Sequence, residues 1–213
     1  MNEKILNITN GDVFNEYFLS KFGGEAIPFR EVMMDGDTVL DIYSDEFIEV
    51  RAQALGVKIE EYKSKMLTCG GLDILGYKKL NLWFGKDTFC QMNLLTLLVY
   101  LEQIDYSGEI FLNYIDDETF ETLEENVRVE LGIYKNLYQE ILINKNQIDN
   151  LGVLVARSIE LFFDYHSQNG TLAEMVRNNV NMRQTDLICL LLENSRGYGL
   201  SDIQAKNLID KYK

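Results

Sequence analysis

Histidine is almost missing from this chain. His166 is the only one, which excludes a histidine-rich metal centre and leaves any Ser/His/Asp triad resting on one helix-like position. Cysteine is scarce too. Cys69, Cys90 and Cys189 are odd in number and far apart, so they suggest neither a disulfide framework nor a zinc knuckle. Reduced, buried thiols are the expectation. Proline occurs once, as Pro28. Basic charge is short: 20 Lys and Arg stand against 34 Asp and Glu, a net charge of −14. Such a chain repels phosphate backbones, which argues against nucleic acid as a partner. Long apolar runs are absent. The longest, Leu94–Leu101, is broken by Thr96 and is too short for a bilayer. The opening Met1-Asn2-Glu3-Lys4-Ile5 has no basic stretch before an apolar run, so no secretory signal is visible and a cytoplasmic location is expected. There is no G-x-G-x-x-G, no phosphate-loop lysine motif and no calcium-loop spacing, so the sequence names no cofactor.

What is present belongs to a globular α/β protein. A length of 213 residues suits one large domain or two small ones, and 12 Tyr with 11 Phe exclude a disordered chain. Lys4–Thr9 reads as a strand that ends in the turn Asn10-Gly11-Asp12, followed by a helix over Val13–Phe22. Glu25–Val32 reads as a second strand, at an edge because Pro28 cannot donate to a ladder. Asp35-Gly36-Asp37 is a turn. Helices are expected over Asp45–Leu55 and Ile59–Thr68, then a loose connection through Gly70-Gly71 and Gly76. Lys79–Phe84 is the clearest strand, Thr88–Ile104 a helix apolar nearly all round, and Glu109–Ile115 a fourth strand. Strands alternating with helices imply a small doubly wound parallel sheet, of the Rossmann or flavodoxin type, in the order 2-1-3-4. Beyond residue 117 helical spacing takes over. The acidic stretch Asp116–Glu130 reads as a solvated helix face. Further helices are expected over Leu131–Ile143, Leu151–Ser167, Thr171–Asn178, Arg183–Asn194 and Ser201–Tyr212, with residues 144–150 as a linker. The implied division is an α/β part over 1–130 and a helical part over 131–213.

Ligands of open parallel sheets bind beyond the carboxyl ends of the strands, where the strand order reverses. That rule selects Gly11 and Asp12 after the first strand, Arg30 and Glu31 after the second, and Lys86 and Asp87 after the third. With the first and third strands adjacent, Asp12 and Asp87 would face one crevice. Each also has a plain structural role available: a turn for Gly11, a helix cap for Asp12, an ion pair for Arg30, core packing for Trp83. Thr88-x-x-Gln91 matches a capping box, which leaves Asp87 with no capping duty. Thr171-x-x-Glu174 and Ser201-x-x-Gln204 match it as well. Cys90, at the third position of its helix, is the one thiol placed for a helix dipole to activate; a core thiol is the simpler reading. Arg183–Asn194, Gly199 and Ser201–Tyr212 form helix, turn, helix, read as a packing pair before a DNA reader.

These residues carry a resemblance. Gly11-Asp12 at a strand end, Arg30-Glu31-Val32-Met33-Met34-Asp35-Gly36-Asp37, the block Leu82-Trp83-Phe84-Gly85-Lys86-Asp87 with Gln91-Met92-Asn93-Leu94-Leu95, and Gly199-Leu200-Ser201 resemble the motifs of an uncharacterised bacterial family, domain-of-unknown-function family eighteen thirty-five. Glu31 and Asp37 stand where that family has aspartate and proline. The resemblance implies no activity; it falls on the strand ends already selected. The functional expectation is a binding or catalytic crevice for a small polar or phosphate-bearing ligand, with Arg30 and Lys86 on anionic groups and Asp12 and Asp87 on hydroxyls, on a divalent cation or as general base. The alternative is a regulatory module that docks a protein partner through its helical half, and after it a DNA-binding transcription regulator that uses the terminal helices.

Overall fold

In a computed structural model, which describes residues 4–69 and 73–213, the strand ends do meet at one rim. Strand β1 (Ile5–Asn10) leads into helix α1 (Asp12–Phe22), and β2 (Ala26–Phe29) returns parallel beside β1. Pro28 lies in β2, and β2 is an edge strand, where the missing N–H costs no ladder bond. Helices α2 (Asp45–Ala54) and α3 (Ile59–Met66) come next; the expected Gly70-Gly71 connection lies outside the described residues. Strand β3 (Lys79–Gly85), helix α4 (Thr88–Gln103) and parallel strand β4 (Glu109–Ile115) complete the alternation.

The sheet has five strands, in the order β2-β1-β3-β4-β5. The expected order of four is contained in it; the fifth strand corrects the reading of Asp116–Glu130. That stretch is no helix. It turns at Asp116–Glu121 and returns as β5 (Thr122–Arg128), antiparallel to β4. The turn has a local cause. The Asp116 carboxylate accepts from the amides of Glu118 (3.1 Å) and Thr119 (2.9 Å), the side-chain turn that competes with helix. Phe120 takes φ 59 within it. Of the glutamates that mimic a helix face, Glu118 and Glu121 lie in the turn, while Glu124 and Glu125 are exposed along this edge strand, where charge discourages pairing with another chain.

Residues alternate between the faces of β3. Leu80, Leu82 and Phe84 join the main core with α4, while Trp83 points to the other face and packs with Phe14 and Phe18 of α1. Helix α4 is buried from Cys90 to Leu101, as its all-round apolarity requires. Against it pack α5 (Tyr134–Tyr138), which runs on into a π-turn over Gln139–Ile143, and α6 (Ala156–His166). Helices α7 (Thr171–Asn178), α8 (Gln184–Glu193) and α9 (Asp202–Tyr212) close the outer layer. One buried cluster runs from Leu6 to Ile209, through both halves of the chain.

Two of the three capping boxes are not formed. Helix α4 is capped by Asp87, not Thr88. Gln91 instead donates to the Gly85 carbonyl (2.7 Å) and accepts from the Val155 amide (3.0 Å). Helix α7 begins after Gly170 with no side-chain cap, because Thr171 donates to Asp164. Only Ser201 and Gln204 of α9 make the reciprocal pair.

Candidate functional site

The six residues selected from sequence all lie at the carboxyl rim, but the rim is divided. Gly11, Asp12, Arg30 and Glu31 line a cavity of about 490 Å³, and Lys86 and Asp87 line a separate one of about 410 Å³. The single crevice expected to hold Asp12 and Asp87 together is two clefts.

The first cleft is held by pairings that satisfy its charges. Gly11 takes φ 80 at the cap of α1, a conformation that favours glycine. Asp12 is the first residue of α1, where the dipole favours an acid. The Arg30 Nε lies 2.8 and 3.0 Å from its two carboxylate oxygens. The Arg30 Nη1 donates to the Lys65 carbonyl at 3.1 Å. Glu31 is buried rather than offered to a ligand. The hydroxyl of Tyr62 donates to it, and Arg51, itself fully buried, sits 3.5 Å away. Burial raises the Glu31 pKa, and the Arg51 charge opposes the rise. Arg51 also donates to the carbonyls of Val32, Asp35 and Asp37, so the pair fastens the 32–37 loop to α2.

The second cleft holds chemistry that sequence reasoning missed. Asp117 is the second residue after β4, and its carboxylate turns back over Gly85. A Cβ at residue 85 would collide with that carboxylate, and one at Gly199 (φ 69) would collide with the carboxylate of Asp87. Two bare glycine backbones thus make room for two acids. Between them lies Cys90. Ligand atoms of Asp87, Cys90 and Asp117 all fall within 4.8 Å of one another. Asp87 Oδ1 accepts from the Cys90 amide at 2.8 Å, and Cys90 Sγ donates to Asp117 at 3.3 Å and accepts from Asn10 Nδ2 at 2.8 Å. Neither Asp87 nor Asp117 has an ion-pair partner among the described residues. Asp117 is exposed as a residue, but the enclosure of its carboxyl, followed by the bond and charge of Asp87, raises its pKa to about 8. Burial first, then Asp87 and Asp117, push the Cys90 thiol well up.

The surroundings decide which ligand suits this cleft. The first amides of α4 are taken: Thr88 and Phe89 donate to the carbonyls of Gly197 (3.0 Å) and Tyr198 (3.1 Å), and Cys90 to Asp87. A helix N-terminus binds anions through free amides, so this one is closed to phosphate. Lys86 is 3.3 Å from Glu124 and lies over the Tyr114 ring. Arg196 sits 3.7 Å from both Asp116 and Glu118. The mouth is net acidic. The signal for Asp117 is in the sequence: the strand-end rule that selects the two residues after each of the first three strands also selects Asp116 and Asp117 after the fourth. A match was found in none of the comparisons, whether with family models, curated proteins or solved structures.

Proposed function

We propose that the cleft at the carboxyl ends of β3 and β4 is a divalent-metal centre that presents a small polar ligand to the metal. The convergence of Asp87, Cys90 and Asp117 carries this reading. A cation between two carboxylates and a thiolate relieves the crowding that no protein cation relieves here. The mixed donor set speaks for zinc-class metals: a thiolate suits zinc, cobalt or iron, while calcium and magnesium take oxygen alone. Three protein donors leave a position open to the cleft, the pattern of catalytic rather than structural zinc sites. Asn10 donates to Sγ and orients it, as outer partners of metal ligands do. Lys86 and Arg196 stand at the mouth, each beside acids, where they would set the charge of what enters. A phosphate-bearing ligand fits less well than an uncharged hydroxyl or carbonyl compound, given the closed helix terminus and the acidic mouth.

The family resemblance stays a proposal with a physical support: its blocks gather at this rim. Gly199 packs on Asp87, Gln91 binds Gly85, and Asn93 Nδ2 donates to Asn10 (3.0 Å) and to the Glu31 carbonyl (2.7 Å). Equilibrium dialysis of the full chain with zinc tests the reading. One equivalent should be retained by the parent and by Cys189→Ser, and lost in Cys90→Ser and in Asp117→Asn. Retention by both of the last two would end the proposal.

A further inference from the structure

A third cleft, which shares no lining residue with the two at the rim, lies beside residues 35–37. It has a volume of about 300 Å³, and Asp35, Asp37, Lys145, His166, Asn207 and Lys211 line it. That size is at the small end for ligand pockets. It joins the loop after β2 to α6, α9 and the segment after the π-turn.

Its charges divide into groups that are used and groups that are free. Asp35 is used: it accepts from the Tyr165 hydroxyl (2.8 Å) and from Gln204 Nε2 (2.5 Å). His166 Nε2 donates to the Met34 carbonyl at 3.0 Å, which leaves Nδ1 as a bare acceptor. The ammonium of Lys145 lies over the Phe162 ring (4.6 Å) and that of Lys211 over the Tyr212 ring (4.9 Å). Neither lysine, nor Asp37, is in an ion pair among the described residues. Charges of both signs that are in no ion pair, on Lys145, Lys211 and Asp37, thus line one cleft. Both lysines act electrostatically on His166, as does Asp35, while Asp37 acts on Lys145. Lys145 takes φ 56, a backbone conformation that costs a non-glycine residue energy and recurs at binding sites. Two lysines face two aspartates, so the cleft is balanced in charge, with its signs kept apart. A bare anion would meet Asp35 and Asp37, and a bare cation would meet the lysines. A ligand that is neutral overall but carries separated charges meets neither cost.

We propose that this cleft binds a small zwitterion of the free amino-acid type, its carboxylate held between Lys145 and Lys211 and its ammonium by Asp37. His166 Nδ1 accepts from a donor on the ligand. The site is independent of the metal centre at the rim.

His166 reports on it directly, because the full chain has no other histidine and its ring signals in an NMR spectrum identify themselves. The common L-amino acids, added singly at millimolar concentration, are the probes; acetate and methylammonium are the single-charge controls. At least one amino acid should move the His166 signals saturably, while the controls do not. Lys145→Gln, Lys211→Gln and Asp37→Asn should each weaken that binding by about tenfold, the loss of one charged hydrogen bond. Lys211 is exposed near the end of α9, so its variant carries the comparison if the Lys145 variant does not fold. No saturable shift with any amino acid overturns the proposal. So does an equal shift with acetate, which makes the cleft a plain anion site, or unchanged affinity in a folded Lys211→Gln chain.

Discussion

At the scale of single residues, Asp87 serves two purposes that substitution can separate. It caps α4 and points its charge at Cys90 and Asp117. Asp87→Ala should lower stability by about 1 kcal/mol, the usual cost of a lost cap. Asp87→Asn keeps the acceptor for the Cys90 amide and should keep most of that stability in urea melts, yet still lose zinc. Gly85→Ala should touch the metal site alone. The new methyl displaces the end of the Asp117 side chain rather than any backbone, so zinc retention falls while the urea midpoint hardly moves. His166 predicts a pH effect. Burial, then Lys145, holds its pKa down to about 4 from an ordinary 6.5, so the folded ring stays neutral where the unfolded chain takes up a proton. Its contribution is whole above about pH 6.5 and is lost as pH falls towards 4. His166→Gln, which retains a donor for Met34, should flatten stability across that window in melts at successive pH values.

At the scale of elements, the sequence was legible wherever one period dominated. The strands β1, β3 and β4, the all-round apolar α4 and the edge position of β2 followed from alternation, helical spacing and one proline. Residues 116–130 did not. The glutamates at 118, 121 and 124 have helical spacing, and only the Asp116 side-chain turn, with the open edge of β4, makes them a hairpin. The missed site follows from the same error: Asp117, assigned to a solvated helix, was never considered as a strand-end residue. Glu31 was selected correctly as a strand-end residue, but its burial against Arg51 depends on α2, which no local pattern reveals. That pair makes the 32–37 loop depend on α2. Arg51→Ala leaves Glu31 buried without its countercharge and three carbonyls without a donor, so a loss of about 3–5 kcal/mol is expected in urea unfolding. A loss under 1 kcal/mol, by contrast, would mean that water replaces the guanidinium.

At the scale of the whole molecule, the halves read from composition share one core, and the helical half completes the rim. The 195–199 turn caps α4 with its carbonyls, Ser158 donates to the Lys86 carbonyl, and Arg196 faces Asp116. No described helix is long and apolar enough to cross a membrane. A shared core predicts one cooperative transition. Trp83, the only tryptophan, sits on the α1 face of the sheet, so its fluorescence and the far-UV ellipticity of the helices should trace the same urea curve. The proposed metal centre draws on the residue after β3, on α4 and on the segment after β4, closed by a turn from the far end of the chain. X-ray absorption at the zinc edge of the zinc-loaded protein therefore tests the account most directly. It should show one sulfur near 2.3 Å beside oxygen donors near about 2.0–2.2 Å, with the sulfur lost in Cys90→Ser. A shell without sulfur in the parent would contradict it.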